Sequence, residues 1–99
     1  MKIELNLAYG TDVQKAKRAI LDILETTEGV ENDPHPSVHF TEMGDFALTF
    51  LAVVWVANPK KQFETRTLLM ERLYERINKE KFVIPYPTQE VYVRKLNSK

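Results

Sequence analysis

The chain has 99 residues, which suits one domain with its own core and no staples. Hydrophobic residues make up 43% and charged residues 28%, an ordinary globular balance. Fourteen basic residues meet fourteen acidic ones, which argues against a nucleic-acid surface, normally basic, and the absence of cysteine excludes disulfides, thiolate metal sites and a Cys nucleophile.

"KIELNLAY" alternates, with Ile3, Leu5, Leu7 and Tyr9 on one face and Lys2, Glu4, Asn6 and Ala8 on the other. That is a half-buried strand, ended by Gly10. No secretory leader is read, because Met1 leads straight into this pattern. Thr11 is placed to cap a helix, with Gln14 completing a capping box. Val13, Ala16, Ile20, Leu24 and Thr27, supported by Ile23, recur at helical spacing, and the helix is expected to run to about Glu28 and stop at Gly29.

"VENDPHPS" is a loop in which Pro34 and Pro36 push Asp33 and His35 toward extended geometry. "SVHFTEM" alternates as a strand, with Val38 and Phe40 opposite His39 and Thr41. Gly44 makes the following turn. Phe46 to Val56 reads as the next strand. Phe46, Leu48, Phe50, Ala52, Val54 and Val56 take one face, and Ala47, Thr49, Leu51, Val53 and Trp55 take the other. Both faces are mostly apolar, so both are expected to be covered: one by helices, the other by another subunit. The apolar run from Ala47 to Ala57 is about half the roughly 20 residues a membrane-spanning helix needs, and its composition is that of a strand. No direct membrane contact is expected from this chain.

Asn58 followed by Pro59 starts a second helix. Phe63, Thr67, Met70, Tyr74 and Ile77, widened by Leu69 and Leu73, are expected to form its buried stripe, ending near Glu80. "QEVYVRKL" closes the chain as a strand after "IPYP", where Pro85 and Pro87 make a rigid lead-in outside the ladder. The order β-α-β-β-α-β predicts an α+β, ferredoxin-like domain spanning 1–99, an antiparallel sheet with two helices on one face.

Little catalytic chemistry is visible. His35 and His39 are the only histidines, and an extended chain between them spans about 13 Å, too far for joint chelation. Asp12, Glu31, Asp33, Glu42 and Asp45 fall at element ends. Asp12 suits a helix dipole and Asp45 a hairpin turn. Gly10 precedes a helix N-terminus, but one glycine is a turn before it is an anion site. Thr11 and Asp12 follow it, and the acid would repel a phosphate, which counts against an acylphosphatase-like hydrolase. No enzyme, cofactor or metal is expected.

Together, "LAYGTD", "DPHPSVHF", the long strand ending in Trp55 and Val56, and "FVIPYPTQEVYV" resemble the C-terminal α/β domain of the small-conductance mechanosensitive (MscS-type) channels. Their order and spacing carry the resemblance over almost the whole chain. It implies a domain on the cytoplasmic side of the membrane, in a water-filled cage of seven copies that passes ions and small solutes to the pore. It implies a structural and regulatory role with no catalytic residues, and pore and middle domains before Met1. Trp55, Leu51, Val53, Tyr86 and Tyr92 are the expected subunit-interface residues. A stand-alone ferredoxin-like module binding a small molecule at a dimer interface is the alternative.

Overall fold

The computed structural model describes residues 1–85. Five main elements follow one another: β1 (Lys2–Leu7), α1 (Val13–Thr26), β2 (Ser37–Met43), β3 (Leu48–Val53) and α2 (Gln62–Lys79). A single 3-10 turn, Pro59–Lys61, leads into α2. The expected last strand, "QEVYVRKL", lies outside the described residues, as do Tyr86 and Tyr92.

The sheet order is β1-β3-β2, with both pairings antiparallel. The most apolar strand is therefore central. Strand alternation then sorts its side chains. Leu48, Phe50, Ala52 and Val54 are buried on one face, joined by Ile3 and Leu7 from β1. Ala16, Ala19, Ile20, Ile23 and Leu24 of α1 and Leu69, Leu73 and Ile77 of α2 are also buried, and nearly all of these pack into that one core. Each fully buried large side chain contributes about 1.5–3 kcal/mol. Phe40 and Phe50 face each other across β2 and β3, with ring centroids 5.3 Å apart, a favoured tilted pairing.

The regular part of β3 is shorter than the expected Phe46–Val56. Phe46 lies outside it and is exposed. At the other end Val54 still exchanges bonds with Met1, N–H to carbonyl at 2.9 Å, so backbone pairing outlasts the regular strand. β2 has a bulge between Phe40 and Glu42, which takes up Thr41 as an extra residue. Tyr9 is exposed rather than on the core face. It lies beyond the end of β1, and its hydroxyl donates to the Gly44 carbonyl in the β2–β3 turn.

The cap of α1 is Asp12, not Thr11. The Asp12 carboxylate accepts the Lys15 N–H at 3.2 Å. Thr11 instead donates its hydroxyl to the Ala8 carbonyl at 2.6 Å, closing the turn in which Gly10 has φ +96°. At the other end, the α1 helix stops at Thr26 and Gly29 adopts φ +99°. The loop into β2 contains a cis Asp33–Pro34 bond and a fully buried Pro36.

The buried row of α2 keeps Leu69, Leu73 and Ile77 of the expected stripe but excludes Phe63, Thr67, Met70 and Tyr74. Thr65, Leu69, Leu73 and Ile77 face the core. Phe63 is 79% exposed and Tyr74 60% exposed. Rows beginning at Phe63 and at Thr65 both have helical spacing. Contact with α1 selects the second. Arg72 reaches Thr27 Oγ1 at 2.7 Å and Arg76 reaches Asp22 Oδ2 at 2.7 Å, which fixes the rotation of α2 about its axis.

Candidate functional site

The sheet's second face carries no helix among the described residues. Its centre is a stripe along and just past β3: Thr49, Leu51, Val53 and Trp55. Leu51 and Val53 are half-buried, and Trp55 is 48% exposed. Lys2 stands across from Val53 and Glu4 across from Leu51 on the β1 side. Ser37 and His39 stand across from the same two residues on the β2 side. The outward face of the central strand is mostly apolar, as its alternation predicts, but the sheet face as a whole is mixed. Only the central strand is apolar there, because the outward positions of both neighbours are polar. Three of the expected interface residues, Leu51, Val53 and Trp55, do share this one surface.

Two polar pairs border the stripe. Thr49 donates its hydroxyl to Asn6 Oδ1 at 3.0 Å. Ser37 Oγ and His39 Nε2 lie 3.0 Å apart. The Trp55 carbonyl accepts the Glu31 N–H at 2.8 Å, which ties the loop after α1 to the end of β3.

A second apolar surface lies on α2. Phe63, Thr67, Met70 and Tyr74 form one ridge, with Met70 43% exposed. At about 100° per residue this ridge is centred roughly 110° around the helix from the buried row. It lies on the flank opposite Arg72 and Arg76. Sequence reasoning found these residues but assigned them to the core. The signal that separates the rows is the unbroken aliphatic series Leu69, Leu73 and Ile77, against a series of aromatic, Thr and Met.

The titratable candidates do not converge. Asp12 is a helix cap. His35 Nε2 lies 2.7 Å from Glu25 Oε2, while His39 is engaged by Ser37. No group of three possible metal-ligating side chains occurs among the described residues. A cleft of about 400 Å³ between the loop after α1 and the start of α2 is walled in part by Glu28, Glu31, Glu64 and Lys61. These are solvated charges, with Lys61 Nζ 3.8 Å from Glu64 Oε1. The perturbed groups sit elsewhere, in the clamp between the helices. Hydrogen bonds donated to the Asp22 and Glu80 carboxylates raise the Arg76 guanidinium above its usual value. The bond from Arg76 lowers the Glu80 carboxyl below its own. Such an arrangement holds two helices together.

Residues 1–84 match the family model described as "Mechanosensitive ion channel MscS, C-terminal". Among curated relatives, a small-conductance mechanosensitive channel of Helicobacter pylori is 23% identical over 92 residues, covering 93% of this chain and 34% of the relative. An uncharacterized MscS family protein of Synechocystis is 21% identical over 89 residues, covering 90% of this chain and 30% of the relative. The chain thus spans about a third of the length of these relatives. A crystal structure of Helicobacter pylori MscS in the closed state superposes with a TM-score of 0.79 at 24% identity, over 89% of this chain and 36% of that one. The superposition demonstrates a shared fold.

Proposed function

This chain belongs to the family of MscS mechanosensitive-channel C-terminal domains, and from that premise we propose that it serves as the cytoplasmic-side α/β domain of such a channel. In that role it forms part of an oligomeric cage beneath the pore, seven copies in the full channel, and governs the access of ions and small solutes. It acts through assembly with copies of itself and with the pore and middle domains, without catalysis and without a cofactor. The family match over residues 1–84 carries the reading. The fold shared with a channel of the same family and the apolar stripe on the sheet's open face both support it.

The interface in this reading includes Leu51, Val53 and Trp55. Tyr86 and Tyr92, in the stretch beyond the described residues, are proposed as further members. The same stretch is proposed to supply the final strand of a ferredoxin-like order, which makes 1–99 one domain. Amide exchange on the whole chain tests this: protection at 89–96 that melts together with β1 supports it, and separate loss of that protection counts against it.

The gene upstream of Met1 tests the channel assignment. A run of hydrophobic segments in the same reading frame is the expected result. A start codon at Met1 with none upstream overturns the assignment for this chain. Where the segments are present, deleting residues 1–99 from the parent channel should alter survival after hypo-osmotic shock and the channel currents in patches.

A further inference from the structure

The cleft of about 400 Å³ between the loop after α1 and the start of α2 has an acidic rim and a covered floor. At the rim, Glu28, Glu31 and Glu64 stand against one cation, Lys61. Lys61 pairs with Glu64, and Glu28 and Glu31 form no ion pair among the described residues. On the floor, Val56 and Leu68 are half-buried and Thr65 is 5% exposed. Thr65 is the polar member of a row otherwise made of Leu69, Leu73 and Ile77. The Thr26 and Thr27 hydroxyls in α1 each donate to the carbonyl four residues back. The Thr65 hydroxyl makes no such bond, and it has no other partner among the described residues. Every side-chain polar atom sealed from solvent there does have a partner, so the Thr65 oxygen is not sealed and opens on the cleft it lines. Gly29 leaves it uncovered, because a Cβ at Gly29 would lie 2.5 Å from that oxygen. A valine would fill the same volume with no acceptor to satisfy, so a hydroxyl is costly at this place unless something meets it.

We propose that this cleft binds a small organic ammonium ion, with the Thr65 hydroxyl accepting one of its N–H groups and the Glu28 and Glu31 carboxylates neutralising its charge. A primary ammonium offers donors and no acceptor, which suits a hydroxyl oxygen below and carboxylates above. An anion would meet the acidic rim and be repelled. A hard metal ion asks for about six to eight oxygen ligands, and no group of three possible metal-ligating side chains occurs among the described residues. Val56 and Leu68 give the alkyl part of an organic cation an apolar contact that a bare ion does not use. Lys61, 3.8 Å from Glu64, already makes the same ammonium–carboxylate pairing at the rim with the chain's own side chain. The site goes beyond the assembly reading above and does not depend on it.

Putrescine titrated into the whole chain at fixed ionic strength tests the site, with succinate, a dianion of the same carbon count, as the opposite-charge control. Amide NMR shifts report both the place and the dissociation constant. The expected result is saturable shifts centred on Gly29, Val56, Thr65 and Leu68, with a millimolar or tighter constant, and no such shifts with succinate. Thr65→Val matches the side chain in size and removes the acceptor. It should raise the constant about tenfold and leave the thermal midpoint of the free chain unchanged or higher. The exposed pair Glu28→Gln and Glu31→Gln, made together, should raise the constant about threefold. Shifts that grow without saturating, shifts centred on another acidic surface, or a Thr65→Val chain that binds like wild type overturn the proposal. A midpoint several degrees lower for Thr65→Val overturns it too, because the hydroxyl then has a structural partner.

Discussion

A Cβ at Gly29 would lie 2.5 Å from Thr65 Oγ1 and 3.3 Å from Thr65 Cγ2. The loop that leaves α1 thus presses directly on the first buried residue of α2. Gly29 also has φ +99°, where a side chain is strained whatever the space. We predict that Gly29→Ala destabilises the fold by roughly 1–3 kcal/mol, seen as a lower denaturation midpoint. Adding Thr65→Ala should recover part of the loss, since it relieves the clash and not the backbone strain. Strictly additive effects in the double-mutant cycle would contradict direct contact.

The rotation of α2 can be tested by two truncations. Leu73 is 2% exposed and Phe63 is 79% exposed. Leu73→Ala should cost about 2–5 kcal/mol through its cavity. Phe63→Ala should change the stability of the single chain by less than about 0.5 kcal/mol. Equal losses in urea unfolding, measured at low protein concentration, would restore the row beginning at Phe63 to the core.

Acid should act on the clamp between the helices. Arg76 Nη1 donates to Asp22 Oδ2 at 2.7 Å and Arg76 Nε to Glu80 Oε2 at 2.9 Å. The Arg76 bond lowers the folded Glu80 carboxyl below its ordinary 4.5. A depressed folded value stabilises above the unfolded value, and that stability is lost as pH falls through the folded one. The stability gap between wild type and Arg76→Gln should therefore be constant near neutrality. It should shrink once the pH drops below the ordinary carboxylate range, and added salt should shrink it at neutral pH. Stability curves that stay parallel down to strong acid would show that the Glu80 bond contributes nothing.

Trp55 is 48% exposed, and its backbone carbonyl accepts the Glu31 N–H. We predict that Trp55→Ala weakens self-association by tenfold or more, on the order of 1.4 kcal/mol, and costs the folded monomer less. Sedimentation gives the first quantity and denaturation of the dilute chain the second. Equal loss in both would make Trp55 a part of the core.

The period-2 alternation of Ile3, Leu5 and Leu7, and of Leu48, Phe50, Ala52 and Val54, already specified two strands and their inner faces. The 3.6 period through Ala16, Ile20 and Leu24 specified α1 and its buried side. These patterns are local, so the sequence by itself determined them. It also carried, in short stretches such as "LAYGTD" and "DPHPSVHF", enough ordered likeness to point to the family. What it left open depended on the choice between competing local hydrogen bonds and on neighbours distant in the chain. Asp12 rather than Thr11 caps α1 because Thr11 finds the Ala8 carbonyl. The outer sheet face is mixed because β3 lies between two strands whose outward residues are polar. Two rows on α2 shared a helical period, and only contacts made across the fold, from Arg72 and Arg76 to α1 and from Thr65 to Gly29, decided which was buried. That choice turned Phe63, Met70 and Tyr74 from expected core into open surface. Periodicity identifies an apolar face, but only tertiary packing decides what that face meets.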